Sequence, residues 1–363
     1  MEKIELVQAR LRRRKLDAIL IGQPDNRLYL SGFNAPDYAI NESSGFLLIP
    51  RAGQPFLLTD SRYTLQARQE AEGFEILIYK GGLLPLLNKL LPRLTIKRLA
   101  FESHYILYNQ AQRLIKLCRK YHIELQGCEN FIERLRVVKS QQEIALIRQS
   151  VLLNEAVFQE ILPTLRPQDT EIETAVRLEN AMRAHGAERP SFETIVAAGP
   201  NGAKPHAIPG QQQLGQGLPI IIDMGLILNG YCSDMTRSVI LGTPEARTVE
   251  IFRIVRQAQL TGIKALRAGV SGRDVDRAAR SVISQAGFGD NFGHSLGHGV
   301  GIAVHEEPRL SPGSRKKMAA GMVVTVEPGI YIAGWGGVRL ENMALITESG
   351  CEIFNQDHTF LDI

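Results

Sequence analysis

The chain has 363 residues, of which 44% are hydrophobic and 22% are charged, a composition typical of an ordinary soluble globular protein. At this length two domains are expected. No segment reaches the run of about 18 apolar residues that a membrane span requires, and the N-terminal segment lacks the apolar region of a signal peptide. The four cysteines are scattered without a CxxC pair, so we expect a cytoplasmic protein without membrane contact.

Charge is unevenly distributed along the chain. The net charge is +4, and residues 1–130 hold 19 basic and 13 acidic side chains, against 23 and 25 in the remainder. A basic cluster at Arg12–Lys15 could contact nucleic acid, but it belongs to no wider basic stripe and is not interleaved with aromatic residues. We therefore interpret it as a solvated helix face and expect no nucleic-acid partner.

The first third of the chain alternates helical and strand patterns. Short apolar runs occur at DAILIG, GFLLIP, PFLLTD, FEILIYK and RLAFES. Strands that alternate with helices indicate an α/β domain, here with a mixed sheet. His104 and His122 are isolated, and nothing in this part concentrates metal ligands or nucleophiles.

The remainder of the chain repeats one order of elements. Ser140 and Glu143 form a capping box at the start of a helix, and a second helix is expected over 170–184. After a strand-rich stretch the order returns, with helices predicted at 246–268 and 271–286 and further strands behind them. Helix, helix and hairpin thus occur twice, which indicates an α+β domain with two-fold-like symmetry and a site between its halves.

The first strand-rich stretch contains a hairpin signal. Asn229-Gly230 is the dipeptide that best tolerates the two positive φ angles of a type I′ turn. If these residues form the turn, Gly225 pairs with Asp234, and Asp223 lies on the same face two residues before Gly225. The two aspartates are then diagonal neighbours about 7–8 Å apart. Because the apolar run PIII precedes Asp223, this face is buried, and an unpaired charge there costs several kcal/mol.

Two glutamates in the second half repeat this pattern. Glu327 ends the apolar run MVVTV, and Glu341 lies within the strand-like GGVRLENMALI. On the first hairpin alone, Asp223 and Asp234 could cap turns or pair with Arg237. Four acidic residues on four buried strands exceed the basic residues near them, however, and two divalent cations would balance their charge. We therefore predict a dinuclear metal site.

The segment HSLGHGVGIAVHEEP offers histidines to such a site. It contains His294, His298 and His305, and Gly297 and Gly299 flank the central histidine. We expect the glycines to form a sharp, irregular loop in which backbone and side chain approach an ion closely.

These residues together resemble the pita-bread metallopeptidases, the superfamily of methionine aminopeptidase, aminopeptidase P, prolidase and creatinase. The resemblance covers about residues 138–353, and the preceding part resembles the creatinase/prolidase N-terminal domain. It implies an α/β N-terminal creatinase-like domain (1–130) followed by an α+β pita-bread catalytic domain with pseudo-two-fold symmetry (131–363). The motif residues that recur in order are Asp223, Asp234, His298, Glu327 and Glu341, with Pro205-His206 and His305-Glu306.

The resemblance implies how the metals are held. Asp223 chelates one ion, His298 binds the other, and Glu327 is a ligand of one of them. Asp234 and Glu341 bridge both ions. The carboxylate-rich coordination favours Mn²⁺, with Co²⁺ or Zn²⁺ as alternatives.

The resemblance also assigns the residues around the metals. His206 and His305 face the substrate and stabilise the reacting carbonyl, and Glu327 shuttles the water proton. His294 lies beside the substrate histidines. Arg339, on the same strand face as Glu341, either supports the metal-binding carboxylates or clamps a carboxylate of the substrate.

The implied activity is that of a metal-dependent exopeptidase that cleaves between an N-terminal residue and proline through a hydroxide activated by two metal ions. We predict a Xaa-Pro aminopeptidase, with Xaa-Pro dipeptidase (prolidase) as the alternative. A non-catalytic pita-bread binding protein is a further hypothesis, disfavoured because all five ligands are present. The resemblance also implies a homodimer acting on proline-containing peptides or dipeptides.

Overall fold

The structure, a computed structural model, describes residues 2–358, so Met1 and residues 359–363 lie outside the described part. The chain divides into two compact units, with the division between Arg136 and Val137. This division lies a few residues after the boundary suggested by the sequence.

The first unit contains a six-stranded mixed sheet. Its strands are β1 (Ala18–Ile21), β2 (Phe46–Pro50), β3 (Phe56–Asp60), β4 (Glu75–Tyr79), β5 (Arg98–Glu102) and β6 (Glu124–Cys128). Their order is β4-β3-β2-β1-β5-β6, with β1 antiparallel to β2 and parallel to β5. Its helices are α1 (Glu2–Arg13), α2 (Pro24–Ser31), α3 (Thr64–Glu70), α4 (Leu83–Leu90), α5 (Tyr108–Lys120) and α6 (Glu133–Arg136). The predicted α/β domain with a mixed sheet is confirmed.

The apolar runs of the sequence form the centre of this sheet. All four residues of β1 are buried, and Leu87 and Leu114 pack on the sheet from α4 and α5. The basic cluster Arg12–Lys15 lies exposed at the end of α1. No helix within residues 2–358 has the length and apolarity to cross a bilayer.

The first half of the second unit begins with a helix pair. Helices α7 (Gln141–Ile161) and α8 (Glu171–Ala184) each start with a capping box, at Ser140 and Thr170. The strands that follow are β7 (Arg189–Pro190), β8 (Ile195–Ala198), β9 (Pro219–Met224), β10 (Leu226–Leu228), β11 (Tyr231–Cys232) and β12 (Met235–Ile240). They form two three-stranded sheets, β11-β10-β7 and β12-β9-β8.

The second half repeats this order, as the sequence predicts. Helices α9 (Ala246–Ala265) and α10 (Gly272–Gln285) come first. The strands are β13 (Gly297–Gly299), β14 (Glu306–Leu310), β15 (Val323–Val326), β16 (Gly329–Ile332), β17 (Gly336–Arg339), β18 (Asn342–Ile346) and β19 (Cys351–Ile353). They form a sheet β14-β13-β15-β18-β19 and the pair β16-β17.

Each half has its own hydrophobic core, but polar bonds join the two at β12. The cores draw mainly on residues 157–239 and 240–346. The Arg339 backbone N–H donates to Ser238 Oγ, and Ser238 Oγ donates to the Arg339 carbonyl, both at 3.0 Å. The Glu341 backbone N–H donates to the Thr236 carbonyl at 3.1 Å. The segment after β17 is thus fixed to the first half.

Candidate active site

A cavity of about 390 Å³ is lined by residues of both halves of the second unit. All predicted site residues border it: His206, Asp223, Asp234, His294, His298, His305, Glu327, Arg339 and Glu341. The fold therefore brings together positions that are up to 135 residues apart in the sequence.

Asp223 and Asp234 reach the cavity through the predicted hairpin. Asn229 and Gly230 have positive φ angles of 51° and 76°, as a type I′ turn requires. Thr236 pairs with Asp223, and Asp234 lies two residues before Thr236. The two aspartates are therefore diagonal neighbours on one face, as predicted.

The two glutamates come from strand ends. Glu327 directly follows β15, as predicted. Glu341 was expected within a strand but lies in the short link between β17 and β18. The chain leaves the β16-β17 pair there and enters the five-stranded sheet, so neither ladder includes Glu341. Its carboxylate is held instead by Thr236 Oγ1, which donates to Glu341 Oε2 at 2.7 Å.

The expected irregular loop around His298 is wrong. Gly297–Gly299 is strand β13, which pairs with β14 on one side and β15 on the other. A Cβ on Gly297 would overlap the Thr325 carbonyl, and one on Gly299 would overlap the Glu307 carbonyl. The glycines therefore allow close approach of neighbouring strands. A β-bulge between His298 and Gly299 provides the only irregularity in this pairing within the described residues.

The imidazole of His298 faces the carboxylates with one nitrogen. Nε2 lies 3.2 Å from Glu327 Oε1 and 3.6 Å from Asp234 Oδ2. Nδ1 lies 3.2 Å from the Gly299 carbonyl, which can only accept a hydrogen bond. In the neutral ring, Nδ1 therefore carries the proton and Nε2 presents a lone pair, the arrangement of a metal-ligating histidine.

The donor set fits divalent cations. One ligand atom from each of Asp234, His298 and Glu341 lies within 4.8 Å of the others. Asp223 Oδ1 and Glu341 Oε1 are buried and have no hydrogen-bond partner among the described residues. Native proteins rarely leave such atoms unsatisfied, and hard carboxylate oxygens are ligands that divalent ions accept.

The electrostatics of the cluster lead to the same conclusion. Burial raises the pKa of Asp223, Asp234 and Glu341, and neighbouring carboxylates raise it further in all three. Burial by itself would also raise the pKa of Glu327, but the combined influence of His298, His294 and Arg339 outweighs burial and lowers the pKa to about 2. The carboxylates thus repel one another, a situation that bound cations would reverse.

Arg339 holds Asp223 in place. Its guanidinium lies 2.6 Å from Asp223 Oδ2 and donates to Thr236 Oγ1 at 3.1 Å. The alternative in which Arg237 pairs with the aspartates is wrong, because Arg237 Nε lies 3.2 Å from Asp357 Oδ2. Arg237 sits on the opposite face of β12 from Thr236, so it cannot reach Asp223.

Sequence reasoning missed Tyr331. Its hydroxyl accepts a hydrogen bond from Arg339 at 2.8 Å and lies 2.9 Å from His294 Nε2. His294 Nδ1 donates to the Ser295 carbonyl at 2.8 Å, so Nε2 accepts from Tyr331 in the neutral ring, and burial lowers the pKa of His294. Tyr331 lies four residues after Glu327, and period-two counting along this extended segment could have found it.

His206 and His305 line the cavity from more exposed positions. His206 lies in a turn, and the His305 ring centroid is 4.4 Å from that of His298. Desolvation, the nearby His298 and Arg309 lower the pKa of His305 to about 4. His305 is therefore neutral near pH 7 and can both donate and accept hydrogen bonds.

Comparison with known families identifies the chain. Residues 145–348 match the sequence model of Metallopeptidase family M24, and residues 3–138 match that of the Creatinase/Prolidase N-terminal domain. This chain belongs to metallopeptidase family M24. The resemblance to the pita-bread metallopeptidases and the predicted two-part fold are thereby confirmed.

Several M24 relatives are similar over nearly their whole length. A Xaa-Pro dipeptidase of Pyrococcus horikoshii is 33% identical over 350 residues, which cover 96% of this chain and 95% of the relative. The solved Xaa-Pro dipeptidase of Bacillus anthracis is 35% identical with a TM-score of 0.91 and 98% coverage of both chains. The solved X-Pro aminopeptidase of Thermotoga maritima is 37% identical with a TM-score of 0.86, covering 95% of this chain and 97% of that one.

Sequence reasoning also missed Arg309, which lines the cavity. Arg309 pairs directly with His298 across β13 and β14, so their side chains project from the same face. The exposed guanidinium lines the cavity and makes no hydrogen bond or ion pair with any residue in the range 2–358. Only the strand register reveals its position, because Arg309 lies eleven residues from His298 in the sequence.

Proposed function

We propose that this M24 metallopeptidase hydrolyses the bond between an N-terminal residue and proline, with the dipeptide Xaa-Pro as its preferred substrate. The observation that carries the proposal is the convergence of the five proposed metal ligands, Asp223, Asp234, His298, Glu327 and Glu341, on a single cavity. The names of the similar proteins support the Xaa-Pro specificity.

The proposed ligands divide between two divalent ions as the family resemblance implies. Asp223, Asp234, His298, Glu327 and Glu341 would hold the two ions, with Asp234 and Glu341 shared between them. The hard oxygen donors favour Mn²⁺, with Co²⁺ and Zn²⁺ as alternatives. When bound, such ions acidify a water molecule and polarise the scissile carbonyl.

The protein groups orient the substrate and move the proton. Glu327, whose Oε1 accepts a hydrogen bond from Thr325 at 3.1 Å, receives the proton of the attacking water and delivers it to the leaving nitrogen. His206 and His305 donate hydrogen bonds to the carbonyl oxygen as negative charge develops on it. Losing one such donor costs about 10²–10³-fold in rate.

His294 has a different proposed role. Both of its ring nitrogens are engaged, by Ser295 and by Tyr331. It therefore offers the substrate its ring rather than a hydrogen bond. We assign it to the wall that packs against the proline, held in place through Tyr331 by Arg339.

Arg309 favours the dipeptidase over the predicted aminopeptidase. A free guanidinium beside the metal centre matches the carboxylate that a dipeptide presents at its proline. A longer peptide has an amide there instead. Two of the three similar proteins are also named as dipeptidases, while the Thermotoga maritima structure keeps the aminopeptidase as the second candidate.

The test is hydrolysis of Ala-Pro and Ala-Pro-Ala by metal-free protein reconstituted with Mn²⁺, Co²⁺ or Zn²⁺. Cleavage of Ala-Pro alone is the expected result, and Arg309→Ala should raise its KM. Cleavage of the tripeptide, alone or as well, identifies the aminopeptidase. If neither peptide is cut while two metals are bound, the Xaa-Pro specificity is wrong.

Three further features remain proposals from the sequence and the resemblance. We assign residues 1–130 to a creatinase/prolidase-like N-terminal domain and residues 131–363 to the catalytic domain. We also propose a homodimer in the cytoplasm. Neither nucleic acid nor a membrane enters the proposed reaction.

A further inference from the structure

A buried ion pair lies next to the substrate histidine His305. Lys139 Nζ is 2.6 Å from Glu306 Oε1, and the two side chains are only 1% and 9% exposed. Glu306 begins β14 and directly follows His305. A buried ion pair is weak evidence for stability, because desolvating two charges offsets their attraction. Its contribution here is instead to fix the position of Glu306 and of the neighbouring His305.

The backbone and the side chain of Lys139 are both held by hydrogen bonds to backbone carbonyls. Its backbone N–H donates to the Gly321 carbonyl at 2.8 Å, and its ammonium also lies 3.4 Å from the Val137 carbonyl. Gly321 has a φ of 86° and packs against Val138. The position of the ammonium is therefore fixed by contacts other than its ion pair with Glu306.

Glu306 closes the loop that carries His305. Its carboxylate occupies the space that a Cβ on Gly301 would take, so it spans from Lys139 to the start of the loop. The start is held separately, since the Cys232 backbone N–H donates to the Gly301 carbonyl at 2.8 Å. The His305 side chain makes no hydrogen bond with any described residue. Its orientation thus depends on its ring contact with His298 and on the backbone on either side.

We propose that Lys139 is a positioning residue for peptide hydrolysis, which acts through Glu306 to hold His305 against the reacting carbonyl. The inference rests on the proposed function, in which His305 is a hydrogen-bond donor. It assigns a catalytic consequence to a residue at the start of the second unit that is not among those lining the cavity.

The first test is Lys139→Met, which keeps the side-chain length and removes the charge. With Ala-Pro as substrate, we expect kcat to fall roughly 10- to 100-fold, the effect of a displacement of about 1 Å, while KM and metal content stay near those of the unmodified protein. Glu306→Gln should act in the same direction and serves if Lys139→Met does not fold. The matched control is Lys316→Met. Lys316 pairs at 3.4 Å with Glu307, the residue after Glu306 on β14, but the Lys316 side chain is 43% exposed.

The decisive readout is the double variant with His305→Ala. If Lys139 acts through His305, adding Lys139→Met to His305→Ala lowers kcat no further. An equal loss in both backgrounds overturns the proposal, and so does an unchanged kcat in both Lys139→Met and Glu306→Gln. If the unmodified, metal-loaded protein cuts no Xaa-Pro peptide, the proposed function fails instead, so the two failures are distinguishable.

Discussion

At the scale of single residues, the site gathers buried carboxylates whose hydrogen-bonding capacity the protein does not fully satisfy. The Asp223 and Glu341 carboxylates each leave one buried oxygen without a protein partner. Arg339 satisfies only one oxygen of Asp223. Such an arrangement costs free energy unless a ligand completes it, which is the physical reason to expect cations.

Replacing a proposed bridge should therefore remove both binding and catalysis. We expect Asp234→Ala or Glu341→Ala to lose metal loading and peptide hydrolysis together, because each change removes a carboxylate that, as proposed, would be shared by the two ions. Metal content by elemental analysis and the rate of Ala-Pro cleavage check this. Glu352→Ala is the control, since this exposed carboxylate pairs with Arg148 on the surface. Full activity in either bridge variant would contradict the dinuclear site.

At the scale of elements, β13 shows how backbone shape sets the site. His298 reaches the carboxylates because the strand lies between β14 and β15 with glycine on both sides. The sequence shows the glycines of this motif, but it does not show that they are needed for close strand packing. Local sequence cannot distinguish a glycine needed for a turn from one needed for close strand packing.

The close packing makes β13 intolerant of a single methyl group. Gly297→Ala would drive a Cβ into the Thr325 carbonyl, so we expect a loss of about 1–3 kcal/mol in the free energy of unfolding and weaker metal binding. Denaturant unfolding and metal titration measure both. Gly313→Ala, where a Cβ meets nothing within 4 Å, should leave both unchanged. Unchanged stability in Gly297→Ala would show that β13 can move away from β15.

At the scale of the whole molecule, stability should depend on metal and pH together. Asp223, Asp234 and Glu341 have a pKa raised in the folded protein above the ordinary 3.8 or 4.5. Such carboxyls bind protons more tightly when folded, so their contribution to stability falls as the pH rises from about 4 through the raised values. Glu327, with its pKa near 2, changes only below this range.

The metal-free protein should therefore melt at a lower temperature at pH 8 than at pH 5.5. Mn²⁺ should raise the melting temperature more at pH 8, because binding requires ionised carboxylates and stabilises the folded state in proportion to occupancy. Thermal unfolding in chelator and in Mn²⁺ gives both values. The Asp234→Asn/Glu341→Gln variant is the control, since it should flatten the pH dependence. A melting temperature that rises equally with pH in both proteins would contradict this account.

The sequence by itself determined the order of elements and the hairpin register, and it supplied the proposed ligand set. These depend on neighbours in the chain: a capping box at Ser140, a turn at Asn229-Gly230, and carboxylates placed at the ends of apolar runs. The tertiary structure alone decided that β13 is a strand, that Arg339 rather than Arg237 holds Asp223, that Tyr331 contacts His294 and Arg339, and that Arg309 lines the cavity. Those outcomes depend on which strands pair across the two halves, and such long-range pairing leaves no local signal.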